Sequence, residues 1–106
     1  MESRFKVMHS NNTVKVTLQG RLDAVNSPSL SDELAKLKGK AIGNIVFFAK
    51  DLEYISSAGI RVIVFAKQKI GENSKIYLIG ASETILDVIK MTGLANFMIV
   101  QDAYSD

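Results

Sequence analysis

The sequence predicts an α/β domain with a mixed sheet of four or five strands. The sheet is mostly parallel with an N-terminal antiparallel hairpin, and its helices lie mainly on one face. Three observations carry this expectation. After two opening strands, strand-type and helix-type segments alternate, as they do in parallel sheets joined by crossover helices. Within residues 13–19, Val14, Val16 and Leu18 alternate with Thr13, Lys15, Thr17 and Gln19, so one side of that strand meets a core and the other meets water. Residues 45–49 are apolar with no polar alternation, as expected of a central strand. Right-handed crossovers that all advance in one direction then place every helix on the same face.

Each element has its own local reason. Residues 5–9 and 13–19 form a hairpin across Ser10-Asn11-Asn12, where adjacent asparagines tolerate left-handed backbone. The first helix is expected to take Ser27 as N-cap and Pro28 as its first residue. Asp32 and Glu33 follow in its early turns, and Leu30, Leu34 and Leu37 form its buried stripe. The second helix is expected over residues 58–70, stopped by Gly71. Its inner stripe is read as Ile60, Ile63 and Val64, facing Ile45 and Phe47 or their neighbours. Residues 75–79 make the fourth strand. Ser82 caps a third helix whose Ile85, Leu86 and Ile89 face inward and which ends at Gly93. Residues 97–100 are expected as a last strand.

Bulk properties narrow the function. At 106 residues the chain is read as one domain, residues 1–106. A chain of this size buries somewhat over ~60% of its unfolded surface, enough for one core. The absence of cysteine removes disulfides, thiolate metal sites and a cysteine nucleophile. Residues 1–5 contain no apolar run resembling a signal peptide. No stretch approaches the ~18 apolar residues of a membrane span, so the expected location is the cytoplasm. A formal charge of +2, with lysines spread along the chain rather than in a run, argues against nucleic acid as a partner.

Catalytic chemistry finds little support. His9 lies beside a turn without an evident partner, which leaves only a Ser-Lys arrangement open among nucleophile–base sites. The carboxylates are scattered rather than set at metal-ligand spacing, and there is no glycine-rich phosphate loop. Phe47 and Phe48 read as core. No catalytic residue, metal or cofactor is expected, and the chain is not read as an enzyme.

The most informative stretch runs from Asp51 to Ile63, which follows the apolar third strand and opens the second helix. It puts Ser56 and Ser57 where a strand's C-terminal end meets a helix N-terminus, the edge at which α/β proteins meet ligands and partners. That terminus carries free N–H groups and about half a positive charge, which favours anions such as phosphate. Two readings of these serines stand side by side. In one, a serine simply caps the helix. In the other, an exposed hydroxyl is modified, adding roughly −1.5 to −2 charges. A capping box is missing, since Gly59 and Ile60 stand where Glu or Gln would be wanted. Gly59 itself costs the helix up to ~1 kcal/mol against alanine, which makes sense where another backbone or a partner comes close.

At these residues the chain resembles the STAS domains, and most closely the bacterial anti-sigma-factor antagonists. Gly20-Arg21-Leu22-Asp23 is similar to that family's Gly-x-Leu-Asp loop. Asp51-Leu52, followed by Tyr54-Ile55-Ser56-Ser57-Ala58-Gly59-Ile60, resembles its central Asp-Leu…Asp-Ser-x-Gly-Leu motif. Met91-Thr92-Gly93-Leu94 resembles the Met-x-Gly-Leu before its last strand. Two positions depart: Ser56 stands where the family has Asp, and Phe48 where it commonly has a polar Asp or Asn.

The resemblance implies a partner switch. The antagonist binds an anti-sigma factor that is also a serine kinase, is phosphorylated by it on the motif serine, and is restored by a phosphoserine phosphatase. That serine falls on Ser57, with Ser56 as second choice, the motif glycine on Gly59 and the acidic loop residue on Asp23. The expected partner surface comprises Asp23, Ser56, Ser57, Ala58, Gly59 and Arg61. The alternative is a constitutive STAS scaffold subunit of a signalling or transporter complex, with Ser57 only a helix cap.

Overall fold

The computed structural model describes residues 4–105. Five strands lie in the order β1-β2-β3-β4-β5: β1 (Arg4–Ser10), β2 (Thr13–Leu22), β3 (Asn44–Ile55), β4 (Lys75–Ile79) and β5 (Ile99–Gln101). The β1–β2 pair is antiparallel and every later pair is parallel. Helices α1 (Ser27–Ala35), α2 (Ser57–Phe65) and α3 (Glu83–Met91) supply the three crossovers. The mixed sheet and its hairpin agree with the sequence-based expectation.

One core fills the space between sheet and helices. Val14, Val16, Leu18, Ile45, Phe47 and Leu78 come from the strands, and Leu30, Leu34, Ile63, Ile85 and Ile89 from the helices. The inner stripe of α2 differs from expectation. Val62 and Ile63 are buried, and so is Ala66 just beyond the helix, whereas Ile60 and Val64 are only half-buried. Ile60 and Val64 pack at the margin of the core and flank a groove toward the end of α3. Every residue but Arg61 from Gly59 to Ala66 is glycine or apolar, so composition alone could not select the face. Leu86 of α3 is likewise half-buried.

Several boundaries also move. Strand β3 runs six residues past the expected Ala49, pairing Gln19 with Asp51 and Leu22 with Ile55. Register shifts between Thr17 and Gln19 and between Gly20 and Arg21 break the period-two pattern there. A bulged strand therefore reads in sequence as a loop. At α1, Ser27 is the first helical residue and Asn26 holds the cap position without a side-chain cap bond. Helix α2 starts at Ser57, and residues Ala66–Ile70 continue it as a π-helical turn closed by Gly71 N–H donating to the Ala66 carbonyl at 2.8 Å. Gly93, at φ +79°, takes the left-handed conformation that ends α3. A 3₁₀ turn over Leu94–Phe97 follows, which pushes β5 back to Ile99–Gln101.

The face opposite the helices is wet at one side only. Gln19 is exposed and Thr13, Lys15 and Thr17 are half-buried, but Val46 on the same face has no exposed surface. Tyr104 folds back over it. Its ring centroid lies 5.0 Å from that of Tyr77 and 6.3 Å from that of Phe48, both edge to face, with the Lys15 ammonium 5.7 Å from the Tyr104 centroid. Phe47 is core, as read from the sequence, while Phe48 belongs to this second, smaller cluster.

Candidate functional site

The site grows out of the pairing of β2 with β3. Because these strands are parallel neighbours ending at Leu22 and Ile55, the loops that leave them emerge side by side at the C-terminal edge of the sheet. A direct bond locks them: Ser56 N–H donates to the Leu22 carbonyl at 2.9 Å. Gly59 completes the lock. A Cβ there would stand 2.7 Å from the Leu22 carbonyl oxygen, 2.8 Å from Ile55 Cγ1 and 2.9 Å from Leu22 Cγ. The glycine is thus explained by a neighbouring backbone. Gly59 is buried and offers a partner no surface, which separates it from the other residues expected at the interface.

The two serines divide the roles that the sequence left open. Ser56 has extended backbone, φ −94° and ψ 175°, and is the N-cap. Its hydroxyl accepts from Gly59 N–H at 3.4 Å, and its carbonyl accepts from Ile60 N–H at 3.0 Å. Serine supplies here the acceptor that an aspartate would, without the charge. Ser57 is the first helical residue and is exposed. Among the described residues its hydroxyl has no hydrogen-bond partner. The departure at Phe48 lies on the opposite face under Tyr104 and leaves the surroundings of Ser57 untouched.

Asp23 is held in a closed polar knot. Its Oδ1 accepts from Val25 N–H at 3.0 Å and Asn26 N–H at 3.3 Å, while its own N–H donates to Asn26 Oδ1 at 2.9 Å. Asn26 Nδ2 donates to the Arg21 carbonyl at 2.7 Å. Arg21 Nε lies 3.5 Å from Asp23 Oδ2, and its guanidinium sits 4.0 Å from the Tyr54 ring centroid. Asp23 is thus first of all the organiser of its loop, which presents Val25 with 88% of its surface exposed. Ala58 is half-buried and Arg61 exposed on the following turn.

Sequence reasoning missed Arg21, Tyr54 and Val25. Arg21 and Tyr54 become neighbours only through the bulged extension of β3, so the local sequence carried no signal for them. The edge presents an exposed hydroxyl at a helix N-terminus, whose free N–H groups and dipole favour an anion. Among the described residues no group of His, Asp or Glu is placed to hold a metal ion, and no helix is long and apolar enough to cross a membrane.

A sequence profile of the STAS domain matches residues 4–106. The chain belongs to the STAS domain family. This STAS chain is 26% identical over 89 residues to the anti-sigma-B factor antagonist of Staphylococcus aureus (strain NCTC 8325 / PS 47), covering 83% of the chain and 82% of that protein. The antagonist of Staphylococcus epidermidis matches to the same extent. Among solved structures, an anti-sigma factor antagonist from Mycobacterium paratuberculosis superposes with a TM-score of 0.82 at 17% identity, over 96% of this chain and 87% of that one. The anti-sigma factor antagonist SpoIIAA in its unphosphorylated form gives 0.77 at 18%, over 95% and 90%. The phosphorylated form of Bacillus SpoIIAA gives 0.73 at 20%, over 92% and 90%. These structural likenesses establish the shared fold.

Proposed function

We propose that this chain is a regulatory binding module of anti-sigma-factor-antagonist type, acting in the cytoplasm rather than as an enzyme. It binds an anti-sigma factor with serine kinase activity through the edge that carries Asp23, Ser56, Ser57, Ala58 and Arg61. Phosphorylation of Ser57 releases the partner, and a phosphoserine phosphatase restores binding. One observation carries the reading: Ser56 caps α2, so the exposed Ser57 hydroxyl has no structural task. A phosphate there would sit against free N–H groups at the positive end of the helix dipole, so the fold tolerates it while a docked surface does not. The names of the relatives, antagonists of an anti-sigma factor, support the same class of partner.

The test uses a candidate anti-sigma factor kinase with Mg-ATP, mass-spectrometric mapping of the phosphate, and binding of wild type against Ser57→Ala and Ser57→Asp. Phosphate on Ser57, retained binding of Ser57→Ala and loss of binding by Ser57→Asp are expected. Phosphate confined to Ser56, or a Ser57→Asp chain that binds like wild type, overturns the switch. Undiminished binding would instead fit the constitutive scaffold.

A further inference from the structure

The topology sorts charge that the sequence scatters. Strands β2 to β5 all start at one edge of the sheet, where Gly43 N–H donates to the Asn12 carbonyl at 2.6 Å and Lys75 N–H to the Gly43 carbonyl at 2.9 Å. Each helix returns to that edge with its C-terminus. Lys36, Lys38 and Lys40 follow α1, Lys67 and Lys69 lie in the π-helical turn after α2, and Lys90 ends α3. The opposite edge carries Asp23, Asp51, Glu53, Glu83 and Asp102 alongside Arg21, Lys50 and Arg61, so its charge is mixed. Carboxylates also stand among the lysines: Glu33 pairs with Lys36 at 3.2 Å, Asp32 lies one turn before Lys36, Asp87 one turn before Lys90, and Glu72 follows the π-helical turn. A favourable helix dipole accounts for a cation in a last turn, but Lys38 and Lys40 stand beyond the end of α1.

We propose that this lysine edge docks onto an anionic phospholipid surface, leaving the Ser57 edge, at the other end of α2, directed away from it. Three features select a lipid surface over a discrete anion or nucleic acid. The cations are all lysines, point charges on flexible stems without the forked geometry by which arginine reads phosphate or base edges. The cavity of about 400 Å³ between Lys40 and Lys69 is also lined by Glu72, so a compact anion seated there would meet a carboxylate. And apolar surface lies among the cations. The Lys38 ammonium stands 5.4 Å from the centroid of half-buried Phe65, exposed Ala41 and half-buried Ile42 adjoin Lys40, and lysine stems lie over such surface while their charges reach headgroups. Attraction of this kind acts within about a Debye length and weakens with salt.

The experiment is co-sedimentation of the full chain with vesicles of phosphatidylcholine alone or mixed equally with phosphatidylglycerol, across a salt series. Binding to the anionic vesicles alone, lost as salt rises, is expected. The triple variant Lys38→Gln, Lys40→Gln, Lys69→Gln should weaken partitioning roughly fivefold per lysine with an unchanged thermal midpoint. Lys50→Gln, toward the other edge, should partition as wild type. Three parallel arms use duplex DNA, polyglutamate and inorganic phosphate. No vesicle binding at low salt, full binding by the triple variant, equal affinity for DNA or polyglutamate, or displacement by millimolar phosphate would each overturn the proposal. None of these outcomes bears on phosphorylation of Ser57.

Discussion

The Leu22 carbonyl oxygen lies 2.7 Å from where a Cβ on Gly59 would stand. That contact brings the loop after β2 against the first turn of α2 and makes one surface of two loops. Gly59→Ala should therefore destabilise the chain by about 1–3 kcal/mol, as overpacking against backbone does. Helix propensity alone predicts the opposite, a gain of up to ~1 kcal/mol. Urea unfolding distinguishes the two, and a stabilised variant would show that the loops can separate without loss.

The serines should part company in the same assay. Ser56→Ala removes the acceptor for Gly59 N–H and should lower stability by about 0.5–2 kcal/mol. Ser57→Ala removes a hydroxyl without a partner and should change it by less than ~0.5 kcal/mol. Equal losses would mean that both hydroxyls serve the cap.

Where the sequence was legible, one residue pattern had one physical reading. The alternation from Thr13 to Gln19, Pro28 at the start of α1, and Leu30 with Leu34 each led to the observed element. The rest depended on contacts far apart in the chain. Ser56 and Ser57 are equally good caps as residues, and the bond from Ser56 N–H to Leu22 decides between them. The extension of β3 was hidden because its bulges place Leu52 and Ile55 three apart. The lysine edge was invisible because its members come from three crossovers.

The uniformly apolar α2 makes a further comparison useful. Ile63 is 1% exposed and should cost ~2–5 kcal/mol when cut to alanine. Ile60, half-buried beside the groove, should cost well under half as much, because less surface leaves water and its site opens to solvent. Denaturant midpoints of the two variants check the order, and equally large losses would restore the stripe read from sequence.

Tyr104 offers a test outside the main core. Its two edge-to-face contacts, with Phe48 and Tyr77, are each worth about 0.5–1.5 kcal/mol beyond area burial. Tyr104→Ala should therefore cost about 1–3 kcal/mol and raise binding of a hydrophobic dye. Tyr104→Phe should retain most of the stability, since the contacts involve the ring. If alanine costs nothing, the C-terminal segment does not hold the sheet face in solution.

Ser57→Asp separates the fold from the function. The carboxylate sits in the first turn of α2, where the helix dipole favours a negative charge by ~0.3–1 kcal/mol. Asn26 and Val25 N–H groups already occupy one oxygen of Asp23, and Arg21 faces the other. That loop therefore stays organised beside the new charge. Thermal stability should hold or rise slightly. Partner binding should fall, because a charge at the centre of a docked surface loses its water without a matched counter-charge. The fall should appear chiefly as faster dissociation, as for most interface changes. A variant that is both less stable and equally well bound would contradict the electrostatic argument on both counts.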